Sequence, residues 1–218
     1  MDINSYATLQ SYIADMLNRR DLTEQIKSHI NLAESQISRD IRHWRMENRA
    51  QITQQERYFA LPTDWVETIR LQLVGGRPLE MLSRKVMQQW RDRQTYTDSE
   101  PRFYRHSENA FEIYPVPSAE MQFELEYYQK IPDLNDTDTT NWLLTEFPDV
   151  YVYGAALHSY QFLKDTARMG DMAQLYSAAS QRVNGTGEEA ESSGSSLRLR
   201  KFGMRQSSRP NRRAGYQR

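Results

Sequence analysis

Leu22, Ile26, Ile30, Ala33, Ile37, Ile41 and Trp44 recur every three or four positions, the spacing of one helical face. Lys27, Glu34, Arg39 and Arg42 occupy the other face. The pattern predicts a helix that opens at a capping box of Asp21 and Glu24 and runs to about Met46. A shorter helix precedes it over residues 5–18, with Tyr6, Leu9, Ile13, Met16 and Leu17 on its apolar side.

Between residues 50 and 131 the period falls to two, the signature of strands. A run from Arg57 through Tyr58 and Phe59 to Leu61 stops at Pro62. Ile69, Leu71 and Leu73 alternate toward Gly75-Gly76, which predicts a hairpin returning over residues 77–82. Ser83 then caps a short helix carrying Val86, Met87 and Trp90. Phe103-Tyr104-Arg105 and Phe111-Glu112-Ile113-Tyr114 flank the turn Ser107-Glu108-Asn109 as a second hairpin. Phe123, Leu125 and Tyr127 mark a last strand.

The helical period returns after residue 140. Trp142, Leu143, Leu144 and Phe147 form an apolar lead-in that must dock on something. Pro148 suits a first helical turn, where its missing N–H has no partner to lose, and Asp149 complements the positive end of the helix dipole. Val150, Tyr153, Leu157, Tyr160 and Lys164 share a face, and Gly154, Ala155 and Ala156 permit close approach of another backbone. A further helix is expected from Thr166 to about Val183, carrying Met169, Met172, Leu175, Tyr176 and Ala179.

These elements predict an α+β fold: a four-helix body, a central antiparallel β insertion and an extended C-terminal tail. The expected divisions are a helical hairpin over 1–49, the β-rich insertion over 50–131, and the last two body helices over 132–183. A flexible Gly/Ser/Glu linker over 184–196 and a basic, partner-binding segment over 197–218 complete the chain.

Charge sharpens the last division. Eight of the 28 Lys and Arg residues and none of the 29 acids fall in residues 197–218, leaving 20 bases against 29 acids, about −9, on residues 1–196. The basic segment is too poor in apolar residues to fold alone. Yet Leu197, Leu199, Phe202 and Met204 stand among its arginines. Leu197-Arg198-Leu199-Arg200 has the period of a strand that adds to a sheet edge, while its arginines equally suit phosphate contacts. No apolar run reaches the roughly 20 residues of a membrane span, no signal-peptide pattern opens the chain, and cysteine is absent. The expected origin is the host cytoplasm.

Candidate chemistry is sparse. Asp133, Asn135, Asp136 and Asp138 imitate the start of a calcium loop, but Asp138 stands where Gly is required and Leu144 where Glu is required. His29, His43, His106 and His158 lack metal-ligand spacing and read as surface or half-buried residues. Glu124 and Glu126 share a strand face and are read as alternating surface charges rather than an acid–base pair. Tyr58, Phe59, Tyr104, Phe111, Tyr114, Phe123, Tyr127 and Tyr128 are read as sheet core rather than base-stacking platforms. Neither a catalytic site nor a cofactor is expected.

Several stretches resemble the head-to-tail adaptor (connector) proteins of tailed bacteriophages, of the podovirus type. The similarity lies in Thr140-Asn141-Trp142-Leu143-Leu144-Thr145, Phe147-Pro148-Asp149, Tyr151-x-Tyr153-Gly154-Ala155 and Leu163-Lys164-Asp165. It extends to the strand from Glu124 to Pro132, to Leu17-Asn18-Arg19 with Asp21-Leu22-Thr23, and to Ala33-Glu34 and Arg39-Asp40. It covers roughly residues 1–180. The resemblance implies a structural virion protein, not an enzyme. It implies a ring, usually of twelve copies, docked beneath a dodecameric portal, extending the channel for double-stranded DNA and giving the tail nozzle, or tail hub and fibres, a platform. On that reading Leu197, Arg198, Leu199, Arg200, Lys201, Phe202, Arg205, Arg209, Arg212 and Arg213 would hold the portal. A nucleic-acid-binding module anchored by the same arginines is the alternative.

Overall fold

A computed structural model describes residues 2–93 and 100–192, the last five by backbone alone. Its helices are α1 (Tyr6–Leu17), α2 (Thr23–Asp40), α3 (Arg84–Asp92), α4 (Trp142–Glu146), α5 (Pro148–Phe162) and α6 (Thr166–Ser192). Its strands are β1 (Glu47–Gln54), β2 (Tyr58–Ala60), β3 (Trp65–Leu73), β4 (Glu80–Met81), β5 (Phe103–Ser107), β6 (Ala110–Tyr114) and β7 (Met121–Gln129). The α+β class follows, with α1, α2, α5 and α6 as the helical body.

The body is built around α5, which the other three helices contact. Leu22, Ile26, Ile30, Ala33, Ile37 and Ile41 are all buried in its core, as their spacing requires. Gly154 is where the helices come closest: a Cβ added there would stand 3.1 Å from the Ala33 Cβ and 3.4 Å from the Tyr176 ring. Because α5 is covered on several sides, its apolar surface is not the predicted stripe. Val150, Tyr151, Val152, Gly154, Ala155, Ala156, Ser159 and Tyr160 are buried, while Tyr153 and Leu157 are only half-buried.

The insertion forms two facing sheets, β1-β7-β3 and β2-β6-β5-β4. Phe59 of one stacks on Phe123 of the other at 5.7 Å between centroids, and Phe111, Ile113, Leu71 and Leu125 complete a second core. The hairpin of β5 and β6 pairs Phe103 with Tyr114 and Ser107 with Ala110, as expected. Ser83 caps α3 by accepting the Val86 N–H. This helix is pinned to the sheet's outer face by buried Glu112, which accepts from Arg91 at 3.0 Å and Arg105 at 2.5 Å.

Several expectations are corrected. Asp21 does not cap α2: Leu22 takes the cap position, and the Asp21 carboxylate is held by the Arg19 guanidinium at 2.6 and 2.7 Å, which draws its pKa down to about 2. Helix α2 ends at Asp40, not near Met46. Asn184 of α6 donates to the Asp40 carbonyl at 3.0 Å and accepts the Arg42 N–H at 2.9 Å, holding residue 41 extended. A 3-10 turn, Trp44–Met46, follows, and the β region opens at Glu47 rather than residue 50. The chain after Gly75-Gly76 does not return as a hairpin. It touches β3 at one bridge, Gln72 with Pro78, and then pairs β4 in parallel with β5, so the insertion is not wholly antiparallel. Proline removes the N–H that would extend the ladder. Finally, residues 184–192 are helical, continuing α6, where composition indicates a linker. Contacts with α2's end hold this segment in place of intrinsic propensity.

Candidate docking site

The family-like motif residues 141–165 converge on one junction between the sheets and the helical body. Asn141 caps α4 by accepting the Leu144 N–H at 2.9 Å, and its amide donates to the Pro132 carbonyl at 2.8 Å and to the Tyr151 hydroxyl at 2.7 Å. One side chain thus ties the end of the β region, α4 and α5 together. Leu143 and Leu144 are buried beneath it. Pro148 takes the first position of α5, and Asp149 receives Arg182 of α6 at 2.9 Å.

The other end of α5 closes with an αL cap. Lys164 has φ 57°, the Asp165 N–H donates to the Tyr160 carbonyl at 3.0 Å and the Lys164 N–H to Gln161 at 3.1 Å. Asp165 then caps α6 by accepting the Arg168 N–H at 3.1 Å. Leu163-Lys164-Asp165 is therefore the corner of a helical hairpin. Tyr153 packs half-buried against the body core.

Glu34 stands behind this junction. Its carboxylate is 7% exposed and accepts the Leu134 N–H at 2.7 Å. Burial raises its pKa to about 7; the Leu134 bond opposes this, Asp133 adds to it and Lys130 opposes it. The loop beyond is an Asx turn, with Asn135 Oδ1 accepting the N–H groups of Thr137 and Asp138 at 2.7 Å each.

Beside the junction lies an open groove of about 680 Å³ lined by Trp44, Arg45, Asn48, Arg49, Glu126 and Trp142. Buried His43 stacks on Trp142 at 5.0 Å and lies 5.5 Å from Trp44. Arg45 stands 5.3 Å over the Trp44 ring and 5.9 Å from Trp142, and pairs with Glu146 at 2.7 Å. Trp44 stays 44% exposed. Of these residues the motif reading captured only Trp142. The usable signal was His43-Trp44-Arg45, two rings and a cation in sequence, but the spacing of a long α2 absorbed Trp44 into a helix face.

The polar residues have structural work. Glu126 is clamped between Arg49 at 2.9 Å and Arg70 at 3.1 Å, and Glu124 accepts from Gln72 at 2.6 Å. His29 and His43 are buried rather than half-exposed, which corrects the reading of both, while His106 and His158 are half-buried. Burial lowers the pKa of His29, His106 and His158. Ser159 lies 2.9 Å from His29 Nδ1, but its Oγ donates to the Ala155 carbonyl at 2.7 Å, which commits the hydroxyl proton. Phe59, Tyr104, Phe111, Phe123 and Tyr127 are core, whereas Tyr58 is exposed. Among the described residues no group of three or more His, Asp or Glu side chains is placed to hold a metal, and no helix is long and apolar enough to cross a membrane. The ten tail residues from Leu197 to Arg213 lie outside the described residues, as do residues 193–196.

A helical body with a two-sheet insertion, its motif residues spent on caps and corners, defines a structural protein that works through its surfaces. The chain belongs to the SU10 adaptor protein family, which matches residues 4–200, and is thus a bacteriophage structural adaptor. No curated protein sequence matches it significantly.

Proposed function

We propose that this adaptor forms a closed ring at the head-to-tail junction of the virion, docks beneath the portal, extends the channel for double-stranded DNA and carries the tail proteins below. Membership of the family over residues 4–200 carries this reading. A ring needs a contact that closes by rotation, and a rigid body with capped, cross-tied helices is suited to repeat one contact geometry, twelve times on the reading above. An acidic body, about −9 over residues 1–196 from 20 bases and 29 acids, suits a passage that must not grip DNA.

In this proposal residues 197–218, with Leu197, Arg198, Leu199, Arg200, Lys201, Phe202, Arg205, Arg209, Arg212 and Arg213, attach to the portal. A tether raises the local concentration of that second contact, and repetition around the ring makes weak contacts collectively tight. The test is binding of the full chain and of residues 1–196 to the cognate portal and, separately, to duplex DNA at graded salt. Portal binding that weakens at least tenfold on truncation, with little DNA affinity, is expected. DNA binding that falls steeply with salt and vanishes on truncation, without portal binding, would replace this reading with a nucleic-acid module.

A further inference from the structure

The last turns of α6 deliver the chain's C-terminal segment to the groove. Asn184 is bonded to the Asp40 carbonyl and the Arg42 N–H, and a Cβ on Gly187 would lie 3.2 Å from His43 Cδ2 and 3.5 Å from its Cα. His43 is the ring that stacks on Trp142 and neighbours Trp44. From Gly187 to Ser192 the helix advances about 7.5 Å. The four residues 193–196, extended, span about 13 Å. Leu197 is therefore within reach of the groove its own helix borders.

The strand leaving that groove has an open side. Among the described residues β1 pairs only with β7, from Glu47 with Tyr128 to Gln54 with Met121, and it forms one edge of the three-stranded sheet. Eight residues long, it presents alternate N–H and C=O groups along its outer side. Residues 197–204 are also eight, and they begin with Leu and Arg in alternation. An added strand would place Leu197 and Leu199 on one face and Arg198 and Arg200 on the other.

We infer that, in the unassembled subunit, residues 197–204 seat on their own chain, adding as a strand to the outer edge of β1 with apolar side chains over Trp44. The occupant is the chain's own segment because α6 ends beside the groove and four residues bridge the distance. A tether of this length sets a local concentration in the millimolar range, so a contact of about 100 µM intrinsic affinity is roughly nine-tenths occupied. The seat concerns the free subunit and stands apart from portal attachment, which would draw the segment away.

Amide exchange of the full chain compared with residues 1–192 tests the seat. Amides of residues 47–54 should exchange about tenfold more slowly in the full chain, with the difference unchanged on dilution. Leu197→Asp with Leu199→Asp, which alters no residue of the folded body, should abolish the protection, and Trp44 fluorescence should shift as it does on truncation. Equal exchange in the two chains would overturn the inference. Protection lost on dilution would overturn it too, assigning β1 to another copy's segment. Neither outcome bears on whether the full chain binds the portal.

Discussion

Glu34 shows how one side chain couples burial to pH. Folding holds its proton up to about pH 7, against an ordinary value of 4.5. The folded chain therefore binds more protons than the unfolded chain between those values, so this group's contribution is most favourable below about pH 4.5 and is lost as pH rises to 7. Glu34→Gln keeps an acceptor for Leu134 and removes the titration. Denaturant melts of both proteins should show the variant gaining stability relative to the parent by up to about 3 kcal/mol from pH 4 to pH 8; a difference independent of pH would refute the assignment. Asn141 tests the junction. Asn141→Ala removes a helix cap and leaves the buried Tyr151 hydroxyl and the Pro132 carbonyl without their donor, so a loss of about 2–3 kcal/mol is expected in the same melts.

At the scale of elements, Asn184 decides where α2 stops. Asn184→Ala should cost about 1–2 kcal/mol and speed amide exchange at Arg42 and along residues 184–192, while the β5–β6 hairpin is unaffected. This residue also explains what the sequence conceals. Ile41 and Trp44 continue α2's spacing without a break, and the signal that ends the helix lies more than 140 positions away. Asn184-Gly185-Thr186-Gly187 has linker composition, yet Thr186 Oγ1 donates to the Val183 carbonyl and Gly187 packs on His43. The first strand was illegible for another reason: an edge strand of Glu-Asn-Arg-Ala-Gln-Ile-Thr-Gln buries no residue fully, so no clear alternation marks it. Where one face is well buried, as at Phe123, Leu125 and Tyr127, the period is plain and the strand is found. Of the site, the motif half was legible because caps and helix corners leave local signatures in Asn141, Pro148 and Asp165. The groove half was not, because His43, Trp44 and Trp142 meet only after the chain has passed through both sheets.

At the scale of the whole molecule, two cores meet at a junction that Asn141, Glu34 and the 132–141 segment hold rigid. Rigidity there fixes the orientation of the sheets on the helical body, which a ring of identical contacts requires. The proposed tail is a second, tethered level of attachment that acts after the ring geometry is set. The most direct measurement is electron microscopy of the cognate portal mixed with the full chain and, in parallel, with residues 1–196. A collar of twelve copies beneath the portal, present with the full chain and lost or thinly occupied without residues 197–218, is the predicted result. The absence of a collar with either protein would contradict the account.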